Sequence, residues 1–235
     1  MTLEALIFDV DGTLAETEEA HRAAFNHVFA DWGLDWHWSQ PRYRELLKTT
    51  GGKERIRAWQ QTLPEAARHL SDDEIARMHR EKTAIYTGIL AEGGLALRPG
   101  VAKLIASARA EGLRLAVATT TNMPNVEALT RCCWNAEPHE VFDVIAAGDE
   151  VAAKKPAPDV FELALKRLGL PPAACIAFED SLNGLISARG AGLAVVVTPS
   201  IFTDDQDFSG AELVTACLEG LTLGDLERLS ASERA

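Results

Sequence analysis

The sequence predicts an α/β fold: a doubly wound parallel-sheet core, Rossmann-like in its alternation of strand and helix, with an inserted α-helical cap domain. Three observations point there. Short all-apolar runs recur along the chain, amphipathic helical stripes alternate with them, and residues 17–94 hold no convincing strand. An all-apolar run of this length fits a strand covered on both faces, as in a parallel sheet.

The first run is "ALIF" at 5–8, and the helical region follows it. His21, Phe25, Val28 and Trp32 fall on one helical face. Ser71-x-x-Glu74 is a capping box that opens a helix running to about Leu90. The tryptophan-rich "DWGLDWHWS" at 31–39 reads as cap core rather than as a stacking platform. The α/β pattern resumes near Leu97. Val101, Leu104, Ile105 and Ala108 make a stripe that starts after Pro99-Gly100 and stops at Gly112. "RLAVAT" (114–119), "FDVIAA" (142–147), "CIAFE" (175–179) and "LAVVVT" (193–198) read as further strands. Val160, Leu163, Ala164 and Leu168 form another stripe, closed by Gly169. The expected organisation is a core of residues 1–16 and 95–235 around a helical cap of residues 17–94. The final "SASERA" reads as a frayed tail.

The chain has 235 residues, 47% hydrophobic and 25% charged, enough to bury a proper core. Its net charge of −12 repels phosphate backbones and anionic lipid, so nucleic acid and membranes are poor partners. An anionic substrate would need local positive charge from a metal, from Lys or Arg, or from helix N-termini. The four cysteines show no C-x-x-C pair and read as reduced, partly buried thiols. The N-terminus lacks a basic region and a long apolar run. A cytoplasmic, monomeric protein acting on a small molecule is expected.

The chemistry starts at "FDVDGT" (8–13). Residues i and i+2 of a strand point the same way, so Asp9 and Asp11 can face one site at the carboxyl end of the first strand. Carboxylates that close repel unless a cation sits between them or one keeps its proton. Oxygen ligands of this kind suit Mg²⁺. Taken alone the motif is equally compatible with an acidic turn or a helix N-cap. Three further strand ends bear on that choice. "LAVATTTN" ends with hydroxyls at Thr119, Thr120 and Thr121, which could hold a phosphoryl oxygen, although at least one is expected as ordinary strand filling. "AAKKPAPDVF" sets Lys154 and Lys155 before a proline and a helix, with Lys154 expected in solvent. "IAFEDSLNG" places a second acidic pair, Glu179 and Asp180, at a strand end, where Asp180 would also serve as an N-cap.

Four such sites in this order, with a helical cap inserted after the first, resemble the haloacid dehalogenase superfamily of phosphohydrolases over the whole chain. Within it the sequence is similar to the β-phosphoglucomutase-like group. "FDVDGTLAETEE", "YRELLKTTGGKERI" and "LAVATTTNMPNVEAL" resemble the CbbY-type xylulose-1,5-bisphosphate phosphatases, which are associated with carbon fixation by Rubisco.

The resemblance implies a Mg²⁺-dependent phosphatase that converts a sugar bisphosphate, xylulose-1,5-bisphosphate, to xylulose 5-phosphate. Asp9 would attack phosphorus and become a phosphoaspartate. Asp11 would act as general acid and then general base. Mg²⁺ would be held by Asp9, the Asp11 carbonyl and Asp180, with Glu179 as a water-mediated outer ligand. Thr119 takes the family's Ser/Thr position, in a register open by one residue, and Lys155 takes the family lysine. Thr120, Thr121 and Asn122 would lie on the substrate side.

In the cap, Glu18 and His21 share a helix face near the hinge. His21 could contact substrate or tune Asp11, or it could be a packed core histidine; the resemblance favours function. "TTGGKERI" puts Thr50, Gly51, Gly52 and Lys53 at a helix start, a second phosphate site on this reading, the alternative being a helix entry with solvated charges, which suits Arg55 better than Lys53. A β-phosphoglucomutase-like mutase is the alternative, since it uses the same phosphoaspartate. A phosphonatase would need a Schiff-base lysine in the cap, for which Lys53 is the candidate. Asp11 argues against a dehalogenase, because a leaving halide needs no proton. A dead, sugar-phosphate-binding scaffold fits poorly with an intact Asp9, Asp11, Lys155 and Asp180 set.

Overall fold

A computed structural model gives the fold and describes residues 2–93 and 95–232. The apolar runs form the strands β1 (Ala5–Phe8), β2 (Arg114–Ala118), β3 (Val144–Ala146), β4 (Cys175–Glu179) and β5 (Ala194–Val197), with a two-residue edge strand β6 (Leu213–Val214). They make one parallel sheet in the order β3-β2-β1-β4-β5-β6. The chain winds outward from β1 through β2 to β3, then returns to place β4 on the other side of β1. The topological switch point therefore lies between β1 and β4, the place where open α/β sheets bind ligands.

Alternation along the strands divides the core. Leu6 and Phe8 of β1 join Leu115, Val117, Ile176 and Phe178 on one face; Ala5 and Ile7 join Ala116, Ala118, Cys175 and Ala177 on the other. All of these side chains are buried, which explains why the strands read as continuous apolar runs. Helices α5 (Val101–Ala110), α6 (Met123–Trp134), α7 (Pro138–Val141), α8 (Asp159–Leu168), α9 (Leu182–Gly190) and α10 (Leu223–Ser232) accompany the sheet. The tail expected to fray is helical as far as Ser232; its last three residues lie outside the described residues. Among the described residues no helix is long and apolar enough to cross a membrane.

Between β1 and β2 stand α1 (Glu18–Asp31), α2 (Gln40–Leu46), α3 (Gly52–Gln61) and α4 (Asp72–Ala91). The Ser71–Glu74 capping box is made at both ends. These helices surround their own apolar cluster, in which Phe25, Phe29, Trp36, Trp38, Tyr43, Ile56 and Met78 are buried. Trp36 and Trp38 meet Phe29 edge-on, with centroids 5.3 and 4.8 Å away, so the tryptophan-rich stretch is core. The two connectors run side by side: Ala15 bridges to Leu97, and the Arg98 N–H donates to the Leu14 carbonyl at 2.8 Å. The Arg98 guanidinium donates to the carbonyls of Gly12, Thr198 and Pro199 and pairs with Glu16 at 3.3 Å. The expected boundary at residue 94 falls outside the described residues.

Candidate active site

Strand pairing sets the acidic end of the site. Phe8 stands beside Phe178 in register, the rings stacked at 4.6 Å, and the Asp9 N–H donates to the Phe178 carbonyl. The next residues of the two strands, Asp9 and Glu179–Asp180, therefore emerge side by side. Gly12 lets the loop turn away; its φ is +82°, and a Cβ there would lie 2.2 Å from Asp180 Oδ2. Gly184 at the start of α9 performs the same service for Glu179, whose carboxylate would sit 1.9 Å from an added Cβ. Asp180 does not cap α9; Ser181 does, accepting the Gly184 N–H.

Lys155, 4% exposed, reaches into this group from the segment before α8. Its ammonium donates to Asp9 Oδ1 at 2.6 Å and to Glu179 Oε1 at 2.5 Å. Glu179, expected at the outer edge of a metal, is fully buried and does not line the cavity. It holds Lys155 from behind, yet one of its oxygens lies within 4.8 Å of oxygens of Asp9 and Asp180. Three carboxylates against one ammonium leave two negative charges uncompensated. Burial, opposed by Lys155 and reinforced by Glu179 and Asp11, pushes the Asp9 carboxyl up to about 8. Asp180 is likewise raised by burial and by Glu179 and Asp9. An all-oxygen cluster with that charge deficit fits a hard divalent cation.

Asp11 points elsewhere. Thr17 donates to its Oδ1 at 2.5 Å, and His21 Nε2 lies 3.0 Å from the same oxygen. Behind His21, Lys82 Nζ lies 2.5 Å from Nδ1, and Tyr86 stacks on the ring at 3.9 Å. An ammonium only donates, so Nδ1 accepts and Nε2 carries the proton given to Asp11. Burial opposes ionisation of Asp11, but His21, Thr17 and Lys82 outweigh it and bring its pKa down to about 2. His21 itself is lowered by burial and Lys82 against the pull of Asp11. It is thus both packed and engaged with Asp11.

Asp9, Asp11, Asp180 and Lys155 open into a cavity of about 270 Å³ beneath the helices of the insert. Thr120, Thr121 and Asn122 line it. Thr119, the residue in the expected register, is buried and off the cavity wall, its hydroxyl accepting the Thr121 N–H at 3.2 Å. Asn122 Oδ1 caps α6 by accepting the Asn125 N–H, and Asn125 donates to Thr121 Oγ1 at 2.6 Å.

The wall formed by the insert corrects several expectations. Glu18, Thr50, Gly51 and Gly52 do line the cavity. Lys53 does not: it stands one-third exposed, 3.7 Å from Asp149. The groups expected in solvent are the ones inside. Arg55 is 7% exposed and lines the cavity, donating to Tyr43 Oη at 2.9 Å, while Tyr43 donates to Glu18 at 2.7 Å. The Tyr43 ring lies under the guanidinium. Lys154 also lines the cavity, 3.3 Å from Glu54. The reason is that Arg55 lies two residues on from Lys53, about 200° around α3 and so on the opposite face, which meets Tyr43 of α2.

Lys82 and His79 of α4 were absent from the sequence-based site, and both line the cavity. Burial, offset in part by Asp11 and Glu18, takes the Lys82 ammonium down to about 7. Burial with Lys82, Lys53 and Lys154 nearby takes His79 down to about 3. One signal existed: Lys82 interrupts the apolar stripe of Ile75, Met78 and Tyr86 at helical spacing, and a lysine on a buried face needs a partner.

The sequence profile of the haloacid dehalogenase-like hydrolases matches residues 3–192. The chain belongs to that family. It is 59% identical over 212 residues to the protein CbbY of Rhodobacter capsulatus, an alignment covering 90% of this chain and 92% of that one. The crystal structure of CbbY from Rhodobacter sphaeroides superposes with a TM-score of 0.90 at 53% identity, covering 94% and 96% of the two chains. That protein has been solved with phosphate and, as a mutant, with xylulose-1,5-bisphosphate. β-Phosphoglucomutase from Clostridium difficile shares the fold, with a TM-score of 0.80 at 21% identity over 99% of each chain. As a haloacid dehalogenase-like hydrolase the protein is an enzyme of the phosphatase kind.

Proposed function

We propose that the protein is a Mg²⁺-dependent sugar-bisphosphate phosphatase that converts xylulose-1,5-bisphosphate to xylulose 5-phosphate, with residues 17–94 acting as its cap. The observation that carries this reading is the polarity of the cavity. Asp9, Asp11 and Asp180 occupy one end, whereas Arg55, His79, Lys82 and Lys154 line the part contributed by the insert and its rim. Arg55 and Lys82 are buried there and Lys154 is half-buried. A bisphosphate can bring these cations a second phosphate while its first meets the acidic end, whereas a monophosphate engages one end alone. The CbbY complex with xylulose-1,5-bisphosphate supports the same substrate.

The proposed chemistry uses Asp9 as nucleophile. Its carboxylate forms a bond to phosphorus as the sugar oxygen leaves, giving a phosphoaspartate that water then cleaves. Lys155 fixes the carboxylate through Oδ1, leaving Oδ2 for attack, and Glu179 fixes Lys155. A divalent cation held by Asp9, Asp180 and the Asp11 carbonyl, with Glu179 close by, would offset repulsion between nucleophile and phosphate. Thr120 and Thr121 offer hydroxyl donors to the phosphoryl oxygens. Asp11, anionic as Thr17 and His21 hold it, is set as the base that takes a proton from the hydrolytic water. To protonate the leaving oxygen in the first half-reaction it must carry a proton on Oδ2, since Thr17 and His21 both occupy Oδ1.

The test is a phosphate-release screen across sugar mono- and bisphosphates with Mg²⁺. Selective turnover of xylulose-1,5-bisphosphate, with ribulose-1,5-bisphosphate spared, is expected. Turnover of monophosphates alone would overturn the reading, and an isomeric phosphate appearing without phosphate release would reassign the protein to the mutases.

A further inference from the structure

The turn between β5 and β6 touches two distant places at once. Phe202 leaves the α/β core and is buried in the insert's apolar cluster with Phe25, Trp38 and Tyr43; its ring meets Tyr43 edge-on at 5.7 Å. The adjacent residue, Thr203, turns back into the core. Its hydroxyl donates to the Asp180 carbonyl at 2.7 Å, and Asp180 Oδ2 lies 3.3 Å from the same oxygen. Ser200 locks the two together: its N–H donates to Thr203 Oγ1 at 2.9 Å, its hydroxyl lies 3.0 Å from that oxygen, and it accepts the Phe202 N–H at 3.3 Å. All three side chains are buried, whereas the Ile201 side chain between them is 55% exposed.

The turn is gripped from both sides. On the insert side, Arg44 of α2 donates to the Ile201 carbonyl and to Asp204 and Asp205, the last at 2.9 Å. On the core side, Arg98 holds the carbonyls of Thr198 and Pro199. A turn held by this many hydrogen bonds, with one side chain in each unit, is built to transmit displacement rather than absorb it.

We propose that Phe202 and Thr203 are a pair of positioning residues that couple the seating of the helical insert to the orientation of Asp180. With Phe202 docked among the insert's aromatic rings, the turn presents the Thr203 hydroxyl to Asp180 and sets its carboxylate toward Asp9. With Phe202 undocked, Thr203 withdraws and the carboxylate is free to rotate out of the metal cluster. The insert would then do more than select substrate: it would complete the cation site. This rests on the reading of Asp180 as a metal ligand.

The experiment is a calorimetric Mg²⁺ titration of the intact protein without substrate, on wild type, Phe202→Ala, Phe202→Leu, Thr203→Val, the Phe202→Ala/Thr203→Val double variant and Asp180→Asn. Phe202→Ala and Thr203→Val are each expected to raise the Mg²⁺ Kd about tenfold, the size of one lost buried contact. The double variant should be no worse than about twofold beyond the weaker single one, since both act through one path. Phe202→Leu, which still docks, should restore binding to within about twofold of wild type. Where the alanine variant does not fold, Phe202→Val is read in the same way. Wild-type affinity in the Phe202 truncation, or additive losses in the double variant, would overturn the coupling. Unchanged binding in Asp180→Asn would instead sink the metal assignment itself, so the two failures are distinguishable.

Discussion

The two walls of the cavity are built on different principles. The wall at the strand ends is made of residues that leave two neighbouring strands together, Asp9 and Asp11 after β1 and Asp180 after β4, locked in place by sheet register. The wall from the insert collects single side chains from separate helices: Glu18 and His21 from α1, Arg55 from α3, and His79 and Lys82 from α4. A parallel sheet at its switch point places strand ends within hydrogen-bonding reach whatever lies elsewhere. A helical unit places side chains according to how its helices pack, so a change in packing changes what the cavity binds. The first wall suits unvarying chemistry, and the second suits substrate choice.

Substitutions on the two walls should therefore fail in different ways. The largest effect is expected for Asp9→Asn at the strand ends. It removes the attacking oxygen and should cut phosphate release by roughly 10⁴-fold or more with every substrate. A variant that keeps full-rate release would break the assignment of this wall to chemistry. Next comes Arg55→Met on the insert. Losing a buried charge-assisted contact should raise KM for the bisphosphate about 10- to 100-fold while kcat changes little. An equal fall in kcat with mono- and bisphosphates would place Arg55 among the groups that merely hold Tyr43 and Glu18.

The smallest effect is on stability. Burial holds the Lys82 ammonium at about 7 in the folded chain, against the ordinary lysine value of 10.5. Between those two values the unfolded chain binds the extra proton, so wild-type stability from this group rises with pH. From pH 7 to 9 the gain is on the order of 2 kcal/mol. Lys82→Met should flatten that slope in urea denaturation at the two pH values. An unchanged slope would show that Lys82 is charged and fully paired when folded.

How much of this was legible in the sequence differs between the same two walls. β1 through β5 follow from apolar runs alone, because strands covered on both faces need uninterrupted apolar residues. Asp9, Asp11 and Asp180 are legible from their places just past strand ends, although the strand stops at Phe8 and Asp11 turns to Thr17 and His21, and Lys155 is legible from its place before a proline and a helix. On the insert, the sequence singles out Lys53 where the cavity wall holds Arg55: sequence spacing says which residues share a face but not which face meets a cavity. The place of Lys154 on the wall is hidden from the sequence in the same way, since only the approach of α3 brings Glu54 and the cavity wall to it. Lys82 and His79 lie some sixty residues from His21 and Asp11, and nothing in a linear pattern joins them.

By itself, then, the sequence determined the local terms of this protein: which segments are strands, where helices start and stop, and which carboxylates leave the central strands together. These depend on interactions within a few residues of each other, or on the regular geometry of a parallel sheet. Only the tertiary structure decided that Glu179 braces Lys155 from a fully buried position, that Arg55 and not Lys53 faces inward, and that Phe202 of the core is housed in the insert. Each of those depends on how elements far apart in the chain pack against one another. That packing is set by side-chain volumes summed over whole interfaces, and it leaves no periodic trace in the chain.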